Sequence, residues 1–209
     1  MNIVGIAGSP TSPSRSSSLL RAALMRLAPV CVEHSEIEVR NLPADALLGA
    51  HTWNPALISA LAQVSRADLV LVATPIYKAA YSGALKAFLD LLPQDGLSGK
   101  MVLPLATGGS QGHLLALDYA LKPVLSALGA RHILDAVFAE DGQFVRTEGE
   151  GYAVSGPVMA RLERALQPVL PAVSASAGLS GRGGATRTAV TGLIPGALPG
   201  PGRPIYGLC

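Results

Sequence analysis

The sequence predicts a doubly wound α/β domain, a parallel sheet with helices on both faces. Three observations carry this expectation. Short apolar runs rich in β-formers recur along the chain, stretches with helical apolar spacing separate them, and the run 68–73 is continuously apolar after its first residue. A strand that does not alternate must be covered on both sides, as parallel strands are. With 209 residues, 49% of them hydrophobic and only 14% charged, the chain supports one domain with a sizeable core. The apolar excess further points to burial between copies, so a homo-oligomer is expected.

Each element has a local reason. Asn2 to Ala7 forms the first strand and ends at Gly8. Residues 16–28 place Leu19, Leu20, Ala23, Leu24 and Leu27 on one helical face, and Pro29 stops the helix. Residues 36–42 alternate weakly, as an edge strand does. Pro55 starts a helix over 56–66 that leads into the central strand 68–73. A third helix over 82–92 ends at Pro93, and 100–106 is the fourth strand. A long helix over 111–128 closes on Gly129, 131–138 is the fifth strand, and 155–169, with Pro157 in its first turn, is the last helix. Five strands alternating with five helices give strand order 2-1-3-4-5, the flavodoxin-like arrangement. Residues 1–173 make up this domain. Residues 174–209 hold nine Gly, four Pro and no acid, and are expected to be a disordered tail.

Charge and cysteine usage exclude several functions. Net charge is +2, but Arg182, Arg187 and Arg203 lie in the tail, which leaves −1 for residues 1–173. No nucleic-acid footprint remains. Cys31 and Cys209 have no CxxC neighbour, and the lone CxxH spacing of Cys31 and His34 has no second pair of ligands to join it, so neither a zinc site nor a disulfide framework is expected, and a reducing cytoplasm is the expected location. The first residues lack a basic leader, and the longest uncharged run, 46–65, is interrupted by His51, Asn54 and Pro55. Neither a signal peptide nor a membrane span is expected.

The chemistry is concentrated in three loops that the topology brings to the carboxyl edge of the sheet. After the first strand come Gly8, Ser9, Pro10 and a hydroxyl-rich stretch through Ser14, Arg15, Ser16 and Ser17 at the start of a helix. Hydroxyls, backbone N–H groups and the positive end of the helix dipole converge there on an anion. A simple helix cap would need one serine, not several and an Arg. Neither GxGxxG nor GxxxxGK[ST] is present, so a smaller phosphate ester such as flavin mononucleotide (FMN) fits better than a dinucleotide or a nucleoside triphosphate. After the third strand, Pro75 fixes a turn while Ile76 and Tyr77 offer surface beside a flat ring. After the fourth, Thr107, Gly108, Gly109 and Ser110 let backbone N–H groups approach a ring edge, and His113 is placed to line the same loop. Two rivals exist. Ser110 lies in a GxSxG match after a strand, the context of a serine hydrolase, but His132 opens the fifth strand at the opposite end, and His113 belongs to the same loop as Ser110 and not to a later one. A flavodoxin-like electron carrier would be strongly acidic, and this domain is nearly neutral. Within the long helix, Pro123 cannot donate to the carbonyl of Tyr119, so a kink or π-turn is expected there.

Four segments resemble the NAD(P)H-dependent FMN reductases of the flavodoxin-like superfamily: AGSPTSPSRSSSLL (7–20), VATPIYKAAYSGALKAFLDLLP (72–93), GKMVLPLATGG (99–109) and HLLALDYALKPVLSALGA (113–130). More narrowly, they are similar to the reductase component of two-component alkanesulfonate monooxygenase systems. The resemblance spans residues 1–170 and implies an enzyme that reduces FMN with NADPH or NADH and passes reduced flavin to a partner monooxygenase. It implies that Ser9, Ser14, Arg15, Ser16 and Ser17 hold the phosphate, that Pro75 to Tyr77 contact the ring system, and that Thr107 to Ser110 close its polar edge. Hydride passing directly between two cofactors would require no catalytic side chain. The resembling subgroup carries a Tyr inserted in the long helix at a tetramer interface near the flavin, which implies a modulatory role for Tyr119 and a dimer or tetramer.

Overall fold

The computed structural model describes residues 1–149 and 151–170. The tail, 174–209, lies outside the described residues. Strand β1 (Asn2–Ala7) sends Ile3 and Ala7 to one face of the sheet and Val4 and Ile6 to the other. It is therefore paired and covered on every side: parallel to β2 (Glu33–Glu38) on one flank and to β3 (Leu69–Tyr77) on the other. Along β3, Leu69, Leu71 and Ala73 pack under helix α1 (Arg15–Leu27), while Val70 and Val72 face the opposite layer. That second layer contains short α2 (Ala44–Leu48), α3 (Pro55–Arg66) and, beyond the two-residue strand β4 (Ala80–Tyr81), α4 (Gly83–Leu89). The next central strand is β5 (Met101–Gly108), parallel to β3.

The edge beyond β5 departs from the expected single strand over 131–138. It consists of β6 (His132–Ile133) and β7 (Val137–Glu140), both parallel to β5, with a gap between them. Pro104 explains the gap. Leu134 donates its N–H to the Val102 carbonyl at 2.8 Å, so Val102, and with it Pro104 two residues on, faces this edge. Proline has no N–H to contribute, and the ladder breaks opposite it. Taking β6 and β7 as one interrupted strand, and leaving aside β4, which pairs only with the end of β3, the parallel strands run β2-β1-β3-β5-β6/β7, which is the expected 2-1-3-4-5 order, with β2 outermost on the other side.

The long helix begins with a 3-10 turn (Gln111–Leu114), passes through a π-helical segment (Leu117–Leu121) and finishes as α5 (Lys122–Ala127). Lys122 N–H reaches back five residues to the Leu117 carbonyl, the π pattern. The missing donor at Pro123 thus produces the expected irregularity around Tyr119. A two-stranded antiparallel sheet, β8 (Phe144–Arg146) and β9 (Tyr152–Val154), precedes the last helix, α6 (Gly156–Leu166). Among the described residues no helix is long and apolar enough to cross a membrane.

Candidate functional site

The carboxyl end of β1 fixes the first loop. Gly8 donates to the Ala73 carbonyl at 2.8 Å, and its own carbonyl accepts from the Ser82 hydroxyl, the N-cap of α4. A side chain at position 8 would put Cβ 2.7 Å from Leu85 Cβ and 3.1 Å from the Ala73 carbonyl, so only glycine lets β1, β3 and α4 meet here. The loop then rises through exposed residues 10–12 and re-enters at Ser14, which caps α1 by accepting from the Ser17 N–H at 3.3 Å. Ser14 and Ser16 hydroxyls lie 3.0 Å apart, both buried. Ser17 is 2% exposed and its hydroxyl has no partner. A buried, unpaired hydroxyl in the first turn of a 13-residue helix is a donor kept in hand for something else.

Arg15 stands at the mouth. Its guanidinium lies over the Tyr152 ring, 4.9 Å from the centroid, and its Nε is 3.8 Å from an Asp141 carboxylate oxygen. That is too far for a hydrogen bond, and the Nε is buried without one. Asp141 and Tyr152 were not among the residues expected from sequence. Asp141 sits in the tight turn after β7, and Tyr152 in the small sheet, where its N–H donates to the Ser18 hydroxyl at 3.1 Å. The Asp-Gly pair at 141–142 was the one available signal for that turn.

The second loop differs from expectation. Pro75 does not form a turn: β3 runs on through it to Tyr77, and the turn is Lys78-Ala79, both at positive φ, leading into β4. Ala73 faces β1, so Pro75 faces the same flank two residues further on, where β1 has already ended. Its lack of an N–H therefore costs no ladder bond. The buried Thr74 hydroxyl accepts from the Ser82 N–H at 3.0 Å, which ties this strand end to the α4 cap. Ile76 is buried, Tyr77 is half exposed, and opposite Ile76 burial pushes the Tyr81 phenol pKa up.

In the third loop Thr107 and Gly108 are buried at the end of β5, while Gly109 and Ser110 are exposed. A Cβ on Gly108 would stand 2.8 Å from the His113 Nδ1, so the glycine admits the imidazole. That Nδ1 is buried and unpartnered.

The loops converge. Ser9, Thr11, Pro13, Ser14 and Arg15 from the first, Pro75, Ile76 and Tyr77 from the second, and Thr107, Gly108 and Gly109 from the third, with Asp141, line one cleft. Ser16 and Ser17 sit behind its wall in the first turn of α1, and Ser110 and His113 flank it without lining it. Larger hollows, such as one of about 560 Å³ at the amino ends of the strands between α3 and Lys100, gather no comparable set of donors. Among the described residues no Ser–His pair forms at Ser110: His113 Nδ1 has no partner, and His132 pairs with Met101 at the far end of β5. Among the described residues no group of His, Cys, Asp and Glu could hold a metal ion. The donor set, with unpaired Ser17 Oγ and Arg15 Nε beside a helix N-terminus and an aromatic wall at Tyr77, suits a phosphate ester joined to a flat ring, and FMN fits it.

Known proteins similar to this chain are named for the same cofactor. The sequence profile described as NADPH-dependent FMN reductase matches residues 1–144. An FMN reductase (NADPH) of Escherichia coli (strain K12) is 55% identical over 145 residues, 69% of this chain and 76% of the relative. One from Pseudomonas putida (strain KT2440) is 49% identical over 149 residues, 71% and 76% of the two chains. An apo crystal structure of an NADH:FMN oxidoreductase superposes with a TM-score of 0.72 at 42% identity, covering 80% of this chain and 87% of that one.

Proposed function

Because the chain belongs to the NADPH-dependent FMN reductase family and is an NAD(P)H:FMN oxidoreductase, we propose that the three-loop cleft is where it binds FMN and that the reduced flavin is released to a partner monooxygenase. The observation that carries this reading is the pair of unpaired buried donors, Ser17 Oγ and Arg15 Nε, at the N-terminus of α1. Ser9, Ser14, Ser16, Ser17 and Arg15 hold the phosphate, Arg15 through a guanidinium already oriented by the Tyr152 ring. Pro75, Ile76 and Tyr77 support the ring system. Thr107, Gly108, Gly109 and Ser110, with His113 behind Gly108, close its polar edge. Bound FMN supplies the hydride-accepting chemistry, so the chain contributes orientation and an electrostatic setting rather than an acid or base. The half-exposed Tyr77 leaves one side of the platform open for a nicotinamide ring.

The partner we assign is a reduced-flavin-dependent monooxygenase that desulfonates alkanesulfonates, working with a cytoplasmic homotetramer in which the exposed Tyr119 joins subunits. Resemblance of the four sequence segments to that subgroup supports this part. Oxidation of NADPH and of NADH is measured with and without FMN, then with the monooxygenase and an alkanesulfonate. Flavin-stimulated turnover coupled to sulfite release is expected. Turnover indifferent to added FMN, or esterase activity lost in Ser110→Ala, refutes the reading.

A further inference from the structure

We propose that Glu38 and Arg40, which lie outside the cleft, are positioning residues that hold the phosphate loop in its binding shape and so set the preference for FMN over flavins without a phosphate. This rests on the phosphate-site reading above. The loop over 8–14 is anchored at its two ends, by Gly8 on β3 and α4 and by the Ser14 cap. Its middle is exposed, and a short loop with free middle residues would lose its shape between binding events. Among the described residues, one hydrogen bond from outside the loop reaches that middle. Arg40 Nη1 donates to the Thr11 carbonyl at 2.8 Å. The same carbonyl accepts from the Ser9 hydroxyl at 3.3 Å, and Ser9 and Thr11 both line the cleft.

Arg40 is itself held. Its Nη2 donates to Glu38 Oε2 at 2.7 Å, and Asn41 Nδ2 donates to the same oxygen at 2.6 Å. The other Glu38 oxygen accepts from Arg21 Nη2, while Arg21 Nε donates to Glu36 at 3.0 Å. Arg21 belongs to α1, the helix whose first turn forms the cradle. One carboxylate on the edge strand therefore fastens both the helix and the middle of the loop, and fixes the distance between them. Glu38 and Arg40 are 17% and 18% exposed, so the pair is shielded enough for its geometry to be definite. The Arg40–Thr11 bond serves an exposed loop and not the core, so its effect falls on loop order.

The test uses Arg40→Met, Arg40→Lys and Glu38→Gln in the full chain, with FMN and riboflavin titrated separately by flavin-fluorescence quenching and the loop followed by hydrogen exchange. Arg40→Met is expected to weaken FMN on the order of tenfold, the scale for losing a charged hydrogen bond and its ordering. Riboflavin affinity should change by less than about twofold, because the ring platform does not depend on the loop. Exchange should rise at residues 9–13, KM for FMN should rise, and kcat at saturating FMN should hold. Arg40→Lys, able to reach Thr11 or Glu38 but not both, should recover part of the loss, and it keeps the test alive if Arg40→Met does not fold. Glu38→Gln should fall between them. Unchanged FMN affinity in Arg40→Met and Arg40→Lys, or equal losses for both flavins, overturns the proposal. A wild-type protein that binds FMN no better than riboflavin instead removes the phosphate reading, and this proposal with it.

Discussion

Replacing Ser17 by alanine should move stability and flavin affinity in opposite directions. In the free protein the Ser17 hydroxyl is buried and unpaired. An unmet polar group of this kind costs roughly 1–3 kcal/mol, and alanine is the better helix former by about 0.5 kcal/mol. Against this stand lost contacts around a single oxygen, so a net gain of about 1 kcal/mol is expected, or a Tm about 2–4 °C higher for a chain of this size. If the hydroxyl meets the flavin phosphate, its removal costs about 1.5–3 kcal/mol of binding, roughly 10- to 150-fold in Kd. Thermal melts at several FMN concentrations read both effects together, because bound ligand stabilises by RT ln(1 + [L]/Kd). Ser17→Ala should melt above wild type without FMN and lose that advantage when FMN saturates wild type. A variant that melts lower without FMN would make the hydroxyl structural. A variant with an undiminished FMN-induced shift would take Ser17 out of the cradle.

Arg15→Ala should weaken FMN by about 1.5–3 kcal/mol and leave riboflavin nearly untouched, and its own stability cost should be small. Its contact with Asp141 is long and both side chains are well exposed, so an exposed pair of this kind contributes at most about 1 kcal/mol. Equal losses for the two flavins in a binding titration would make Arg15 structural. Tyr119 is 79% exposed, so Tyr119→Ala should change the subunit's intrinsic stability by less than about 0.5 kcal/mol. Sedimentation and bound-flavin absorbance should nonetheless show altered assembly and flavin retention, with FMN turnover cut, and wild-type values in all three would mean the ring serves neither.

What was legible in the sequence follows from burial. Continuous apolar runs such as 69–73 admit few fates but a covered parallel strand, and once the strand order is known the carboxyl-end rule places three loops together without any long-range contact being seen. The π-turn was legible because one missing donor at Pro123 has a fixed address four residues back. The break in the last strand was not, although Pro104 stood in view, because its effect falls on a neighbouring strand and depends on which flank its nitrogen faces. The hairpin at Lys78-Ala79 was hidden for another reason. Its two left-handed residues carry none of the Gly or Asn that usually mark such a turn. Tyr152 was hidden because its position depends on a sheet with three residues per strand, too short for any periodicity to register, and Asp141 because only an Asp-Gly pair marks the turn that holds it.

The cross-ties between the loops separate what must stay fixed from what must yield. Ser82 caps α4, donates its hydroxyl to the Gly8 carbonyl and donates its N–H to the Thr74 hydroxyl oxygen. One residue thus locks the first loop, the proposed phosphate cradle, to the end of β3, the proposed ring platform, and the distance between the two becomes a property of the scaffold. The third loop has no such lock at its exposed Gly109 and Ser110, and it leads directly into the helix that carries the π segment. On the proposed reading, in which reduced flavin is released to a partner, the reductase needs this division. The phosphate and ring must be caught at a set spacing for hydride transfer, yet the edge of the site must open at each turnover, and opening is least costly where the backbone is least tied.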